Sequence, residues 1–391
     1  MERAENIGND NDRNPYLPHE LIIEDILPRL PVKTIFRFRS VCKLWYTLPC
    51  DTKFVGKHLN RSLVASSIMI VMSQKTLGNQ NMLSFHSLNI AESGIKTNLM
   101  LTIPLHRDVY AMELSCHGLV CFSTLHRKEV YVCNPSTQEV LKLPKVSFDG
   151  SGDIVPSKVV GFGFDRLSKK YKVLCAFQHL PGKMKCFIYT LDSVEDGSWR
   201  QLDDIPGLIQ PMQNAYLNGV VHWMTVAPND YTRLGGIISF SFEDEKYRVL
   251  PLPNCRYWRS YSILYGLHSS IYLNVIGGYL RLITSLDGSD AGYWTLYIWT
   301  LKDYVNQVWT RDHSVSCDII SDSMKLYPPV PIDIRNGYVM FASGKRLYAH
   351  DLETDISTEV NRELPGEEFW NMIHKYQPDY AESLVSPFGS F

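Results

Sequence analysis

A short all-α module followed by an all-β ring of about six blades is the fold class that this 391-residue sequence predicts. Three observations carry the prediction. Helical apolar spacing is confined to residues 14–61. After Ser62, short runs of Val, Ile, Tyr and Phe alternate with Gly, Pro, Asn and Asp clusters, the texture of many strands joined by turns. These strands also repeat loosely, with a period near the roughly 50 residues of one four-stranded blade. The resulting organisation is a polar tail at 1–13, a helical module at 14–61, a β-ring at 62–364 and a C-terminal tail at 365–391.

In the module, Leu17, Leu21, Ile22, Ile23, Ile26, Leu27 and Leu30 recur at steps that build a broad apolar helix face. Pro18 stands at the first turn, where a helix tolerates it, and Pro28 is expected to end or kink the helix. A second helix is expected over Val32 to Val41, a third around Leu44, Trp45 and Leu48, and a last one near Phe54 to Leu59. Helices this short bury too little surface to be robust alone. Such a module wants a partner.

In the ring, Cys116-His117-Gly118-Leu119-Val120-Cys121 is echoed by Leu217-Asn218-Gly219-Val220-Val221-His222 and by Arg335-Asn336-Gly337-Tyr338-Val339-Met340. Each is a polar residue and Gly followed by an alternating strand. Two of the units close on Leu143-Pro144 and Leu250-Pro251, and Trp199 and Trp309 stand near unit ends. One four-stranded sheet leaves both faces wet, so radial stacking of blades is the economical burial, in the manner of a kelch-like propeller. A two-sheet sandwich fits the same alternation. Strands near Ile68 to Met72 and Met82 to Leu88 are expected to help complete the first blade.

The string from Leu17-Pro18-His19-Glu20-Leu21 through Leu30-Pro31-Val32-Lys33-Thr34, followed by Phe38-Arg39-Ser40-Val41-Cys42-Lys43-Leu44-Trp45, resembles an F-box. That resemblance implies docking to a Skp-family adaptor, and through it to a cullin. The matching contact positions are Leu17, Pro18, Leu21, Ile22, Ile26, Leu30, Pro31 and Val32, with Arg39, Val41, Cys42 and Trp45 in the second half of the motif. The remainder resembles the F-box-associated domain of the large plant F-box family. Gly118-Leu119-Val120, Asn134-Pro135-Ser136-Thr137, Gly161-Phe162-Gly163-Phe164-Asp165, Tyr171-Lys172-Val173, Leu217 to Trp223 and Glu382 to Pro387 carry that likeness. It implies a non-catalytic receptor subunit of a ubiquitin ligase that holds a protein target. Rival readings are an adaptor-binding scaffold without ubiquitin transfer and a propeller enzyme.

Aromatic and guanidinium groups in loops are the types that dominate binding hot spots. The stretch containing Tyr257, Trp258 and Arg259, with Tyr231 and Arg233 in another loop, is therefore the candidate target face. A net charge of −2 speaks against a phosphate-backbone binder, and the longest apolar stretch, Leu63 to Met72, is too short to cross a bilayer. Nine cysteines without regular spacing read as reduced, buried thiols of a cytosolic or nuclear protein. Cys116, His117 and Cys121 lack the further ligands of a zinc site, and Gly161-Phe162-Gly163 reads as a tight turn between strands because a dinucleotide loop needs a third glycine. No cofactor is expected.

Overall fold

The computed structural model describes residues 17–65, 67–75, 81–91, 94–105, 110–124, 128–146, 158–180, 183–191, 198–227, 230–254, 269–288, 293–317, 328–343, 346–360 and 373–388. At its start α1 (His19–Leu21) runs directly into a π turn at Ile22–Ile26 and a 3-10 turn at Leu27–Arg29. Pro28 lies in that last turn, and Leu30 is already extended, so the proline ends the run as expected. α2 (Val32–Phe38) stops earlier than its apolar pattern suggests, because the Ser40 hydroxyl donates back to the Arg37 carbonyl at 2.9 Å. α3 (Lys43–Thr47) follows, and then α4 (Thr52–Val64), whose N-cap Asp51 accepts the Phe54 N–H at 2.8 Å. α4 therefore carries the module to Val64, beyond the expected boundary at residue 61.

The ring begins with β1 (Ser67–Lys75), β2 (Asn81–Ala91) and β3 (Gly94–Pro104). Blade 2 is β4 (Tyr110–Cys116), β5 (Leu119–Thr124), β6 (Val130–Asn134) and β7 (Glu139–Lys142). Blade 3 is β8 (Lys158–Asp165), β9 (Lys170–Leu180), β10 (Lys183–Thr190) and β11 (Arg200–Gln201). Blade 4 is β12 (Ile209–Leu217), β13 (Val220–Ala227), β14 (Asp230–Ser241) and β15 (Tyr247–Leu250). Blade 5 is β16 (Ser269–Ile276), β17 (Tyr279–Gly288), β18 (Tyr293–Asp303) and β19 (Val308–Cys317). Blade 6 is β20 (Val330–Arg335), β21 (Tyr338–Ser343), β22 (Arg346–Asp351) and β23 (Ile356–Glu359).

One further strand, β24 (Ile373–Tyr380), pairs antiparallel with β1 and becomes the innermost strand of blade 1. The six four-stranded sheets thus form a propeller, and a strand from near the C-terminus closes it. The expected tail at 365–391 is corrected here: residues 373–380 belong to the ring, and Ala381 to Val385 are largely buried beyond it. Each pair of neighbouring blades encloses its own apolar cluster, so both faces of a blade are covered. That is why β5 is buried at every residue where an open sheet would alternate.

The repeated polar-Gly pairs are the turns from the first to the second strand of their blades. His117-Gly118, Asn218-Gly219 and Asn336-Gly337 all have positive φ at both positions, the primed turn that matches strand twist. The Leu-Pro and Trp features pair off between blades: the Trp199 indole N–H donates to the Pro144 carbonyl at 2.7 Å, and that of Trp309 to Pro251 at 3.0 Å. Gly161 and Gly163 lie within strand β8, which corrects the expected turn there. A Cβ on Gly163 would stand 2.3 Å from the Tyr216 ring, so the glycine admits an aromatic from blade 4.

Strand connectivity gives the ring two unlike faces. Turns from first to second and from third to fourth strands lie on one face, and the helical module packs there beside Thr137 and Glu139 of blade 2. The opposite ends of the strands, where second strands end and third strands begin, lie at the other face.

Candidate functional site

The helical module is held from one side only. Leu27, Val32, Ile35, Leu48, Phe54, Val55 and Leu59 are buried and join a single cluster with blades 2 and 3 and with Leu384 and Val385. On the other side, Leu17, Leu21, Ile26, Val41, Leu44 and Tyr46 are between 42% and 60% exposed. Exposure of this many large apolar groups on one small module marks an interaction surface.

Packing ties the two halves of that surface together. The ring of His19, from α1, stacks on Trp45 of α3 at 6.5 Å between centroids, and Phe38 of α2 tilts against the same indole at 5.6 Å. The Arg39 guanidinium lies over the Tyr46 ring at 4.3 Å. From behind, the Arg61 guanidinium of α4 donates to the Asp25 backbone carbonyl at 2.7 Å and its carboxylate at 2.8 Å, while Lys57 pairs with Glu24. These bonds fix the first helical run at its acidic edge and leave its apolar edge free.

The structure brings most of the expected adaptor-contact residues to this surface. Leu17, Pro18, Leu21, Ile26, Val41 and Cys42 are exposed, and Ile22 and Trp45 are half-buried; Leu30 and Pro31 line a groove shared with Glu382, and Arg39 one shared with Thr137, Glu139 and Leu384. Val32 is the exception. At 0% exposure it is interior, because α2 turns that side toward the ring, and it is withdrawn as a contact. Leu44 and Tyr46 were missed. Both are exposed on α3, and nothing in their spacing separates them from the half-buried Trp45 between them.

The candidate target face fares differently. Tyr231 and Arg233 belong to strand β14 and not to a loop, since the turn from β13 is short and Ala227 already pairs with Asp230. Both stand at the strand's start, on the ring face away from the module. Tyr257, Trp258 and Arg259 lie outside the described residues.

The Cys116, His117 and Cys121 group does not gather around a common point. His117 Nδ1 meets the Tyr171 hydroxyl at 3.1 Å, and the two thiols are buried in strands. Burial pushes the Cys116 thiol up to about 12 and lowers His117 to about 4, the latter with help from the charge of Arg166. Both are held neutral as packing groups.

Comparison with known proteins agrees with the two-part architecture. Residues 16–55 match the F-box domain, and residues 67–329 match the F-box associated beta propeller domain. The chain belongs to this F-box propeller family. F-box protein At5g49610 of Arabidopsis thaliana is 28% identical to it over 370 residues, covering 90% of this chain and 92% of the relative. F-box/kelch-repeat protein At3g23880 of the same plant is 27% identical over 345 residues, covering 81% and 90%. Putative F-box protein At4g09190, also of Arabidopsis thaliana, is 30% identical over 288 residues, covering 69% and 70%. The match to the propeller domain ends at residue 329, yet the F-box propeller of this chain is completed by β20 to β24 beyond it.

Proposed function

We propose that this chain is the substrate-recognition subunit of a Skp-cullin-F-box ubiquitin ligase, working in the cytosol or nucleus. The observation that carries the reading is the open apolar side of the F-box, with Leu17, Leu21, Ile26, Val41 and Leu44 exposed while the opposite side is sealed against the propeller. A Skp-family adaptor covers that side and links the chain to a cullin. The far face of the propeller, away from the F-box, takes the protein target.

No side chain of this subunit performs the transfer. Binding at two sites on one body raises the concentration of a target lysine beside the charged ubiquitin carrier, an effective-molarity effect set by geometry. The test is to capture partners of the full chain under proteasome blockade. The half-life of each captured protein is then compared in cells expressing the natural chain or the double variant Leu17→Ala, Pro18→Ala. The proposal expects a captured target to live longer with the variant. Unchanged half-lives for every captured protein would reduce the chain to a scaffold without ubiquitin transfer.

A further inference from the structure

Gly118-Leu119-Val120, Asn134-Pro135-Ser136-Thr137 and Glu382 to Pro387 meet at one place on the module-side face of blade 2. After β24 the chain crosses this spot between ring and F-box. The Asn134 amide, fully buried, donates to the backbone carbonyls of both Ser383 and Val385 at 2.8 Å. The Ser386 hydroxyl donates to Glu139 at 3.1 Å. Leu384 and Val385 insert into the cluster that holds Val32, Ile35, Leu48 and Val55 of the F-box. Glu382 lines one groove with Pro31, Val32 and Lys33 at the start of α2.

Comparison among blades shows that blade 2 is specialised for this contact. The turns from third to fourth strands begin with Asn134, Ser241, Asp303 and Asp351 in blades 2, 4, 5 and 6, and each has a positive-φ residue four positions later. Asn134 and Asp351 use a side-chain oxygen identically, accepting the N–H groups two and three residues on. An aspartate would therefore serve the turn of blade 2. Only an amide also supplies the donor that the two carbonyls of the crossing segment require. The glycines tell the same story. Gly118, Gly219 and Gly337 share φ of 80 to 85°, but a Cβ on Gly118 would stand 2.4 Å from Ser383 Oγ and 2.5 Å from the Ala381 carbonyl. Nothing lies within 3.6 Å of that position at Gly219, and nothing within 4 Å at Gly337.

We infer that residues Ala381 to Ser386 are a clamp that holds the F-box in one orientation on the propeller, with Gly118 and Asn134 as its seat. Releasing the clamp frees the orientation of the F-box on the ring. Its functional consequence, a fixed distance from adaptor to target, rests on the proposed ligase role; the clamp itself does not.

The test is a distance distribution in the full-length chain, from spin labels at Lys43→Cys and Val305→Cys with Cys42, Cys50 and Cys255 changed to Ser. The natural clamp gives one narrow distance. Asn134→Asp keeps the turn but sets a carboxylate against two carbonyls, so it broadens the distribution, while the matched change Asp351→Asn in blade 6 leaves it narrow. If Asn134→Asp does not fold, a chain ending after Tyr380, which retains β24, takes its place with the same expectation. A narrow distribution in the released chain overturns the clamp. Loss of adaptor capture by the natural chain would sink the ligase reading and leave this result standing.

Discussion

The two sides of the F-box are made of the same residue types and meet opposite fates. Leu27, Ile35, Leu48 and Leu59 lie against the propeller and its crossing C-terminal segment; Leu17, Leu21, Ile26 and Leu44 lie open. Burying a leucine side chain fully is worth about 1.5–3 kcal/mol, so the open side represents a substantial unspent stabilisation. Hydrophobicity alone therefore does not say which side of an amphipathic module is core. Here the difference comes from what the rest of the chain supplies: a ring closed by its last strand and a segment that returns to pack against α2.

The sharpest way to break that contrast is a matched pair of truncations. Leu48→Ala, on the covered side, is expected to cost about 2–5 kcal/mol through lost burial and a residual cavity, seen as faster hydrogen exchange across the F-box amides. Leu44→Ala, on the open side, is expected to stay within about 0.5 kcal/mol. Equal losses would mean that the open side is also structural.

A smaller effect separates the seat of the clamp from its counterparts. Gly337→Ala should cost about 1–2 kcal/mol, the strain of placing a Cβ at positive φ. Gly118→Ala carries that strain and also collides with Ser383 and Ala381, so its thermal unfolding midpoint should fall further. Identical midpoints would contradict the seat.

The smallest effect concerns His58, buried on the covered side with its Nε2 3.0 Å from the Leu30 carbonyl. Burial lowers its pKa from the ordinary 6.5, outweighing the hydrogen bond that raises it. The folded state thus prefers the neutral ring while the unfolded state takes up a proton more readily. This contribution is complete above about pH 6.5 and is lost as pH falls below it. Exchange protection of the F-box should decline from pH 7 to pH 5, and His58→Gln should flatten that slope. A variant with an unchanged slope would assign the acid sensitivity elsewhere.

Much of this was legible in the sequence because it is local. The prolines at 28 and 31 punctuate the helices, and a polar residue before Gly announces the primed turn whichever blade carries it. The period of the strands was enough for a blade number. What escaped depends on contacts between distant residues. β24 contains Pro378 and no apolar alternation, so only its pairing with β1 reveals it as a strand. Nothing near Val32 indicates that Glu382 and the ring cover its side of α2. The polar pattern of Asn134 reads as a turn residue like any other, and its second duty toward Ser383 and Val385 is invisible until the fold closes. The target face was read from composition in loops, and its two described members proved to be strand residues.

The central claim is that the open side of the F-box, and not its covered side, receives the adaptor. It is tested most directly by co-purification of the full chain with a purified Skp-family adaptor. The double variant Leu17→Ala, Pro18→Ala is predicted to lose the adaptor while the propeller keeps its thermal unfolding midpoint. Adaptor recovery equal to that of the natural chain would contradict the account.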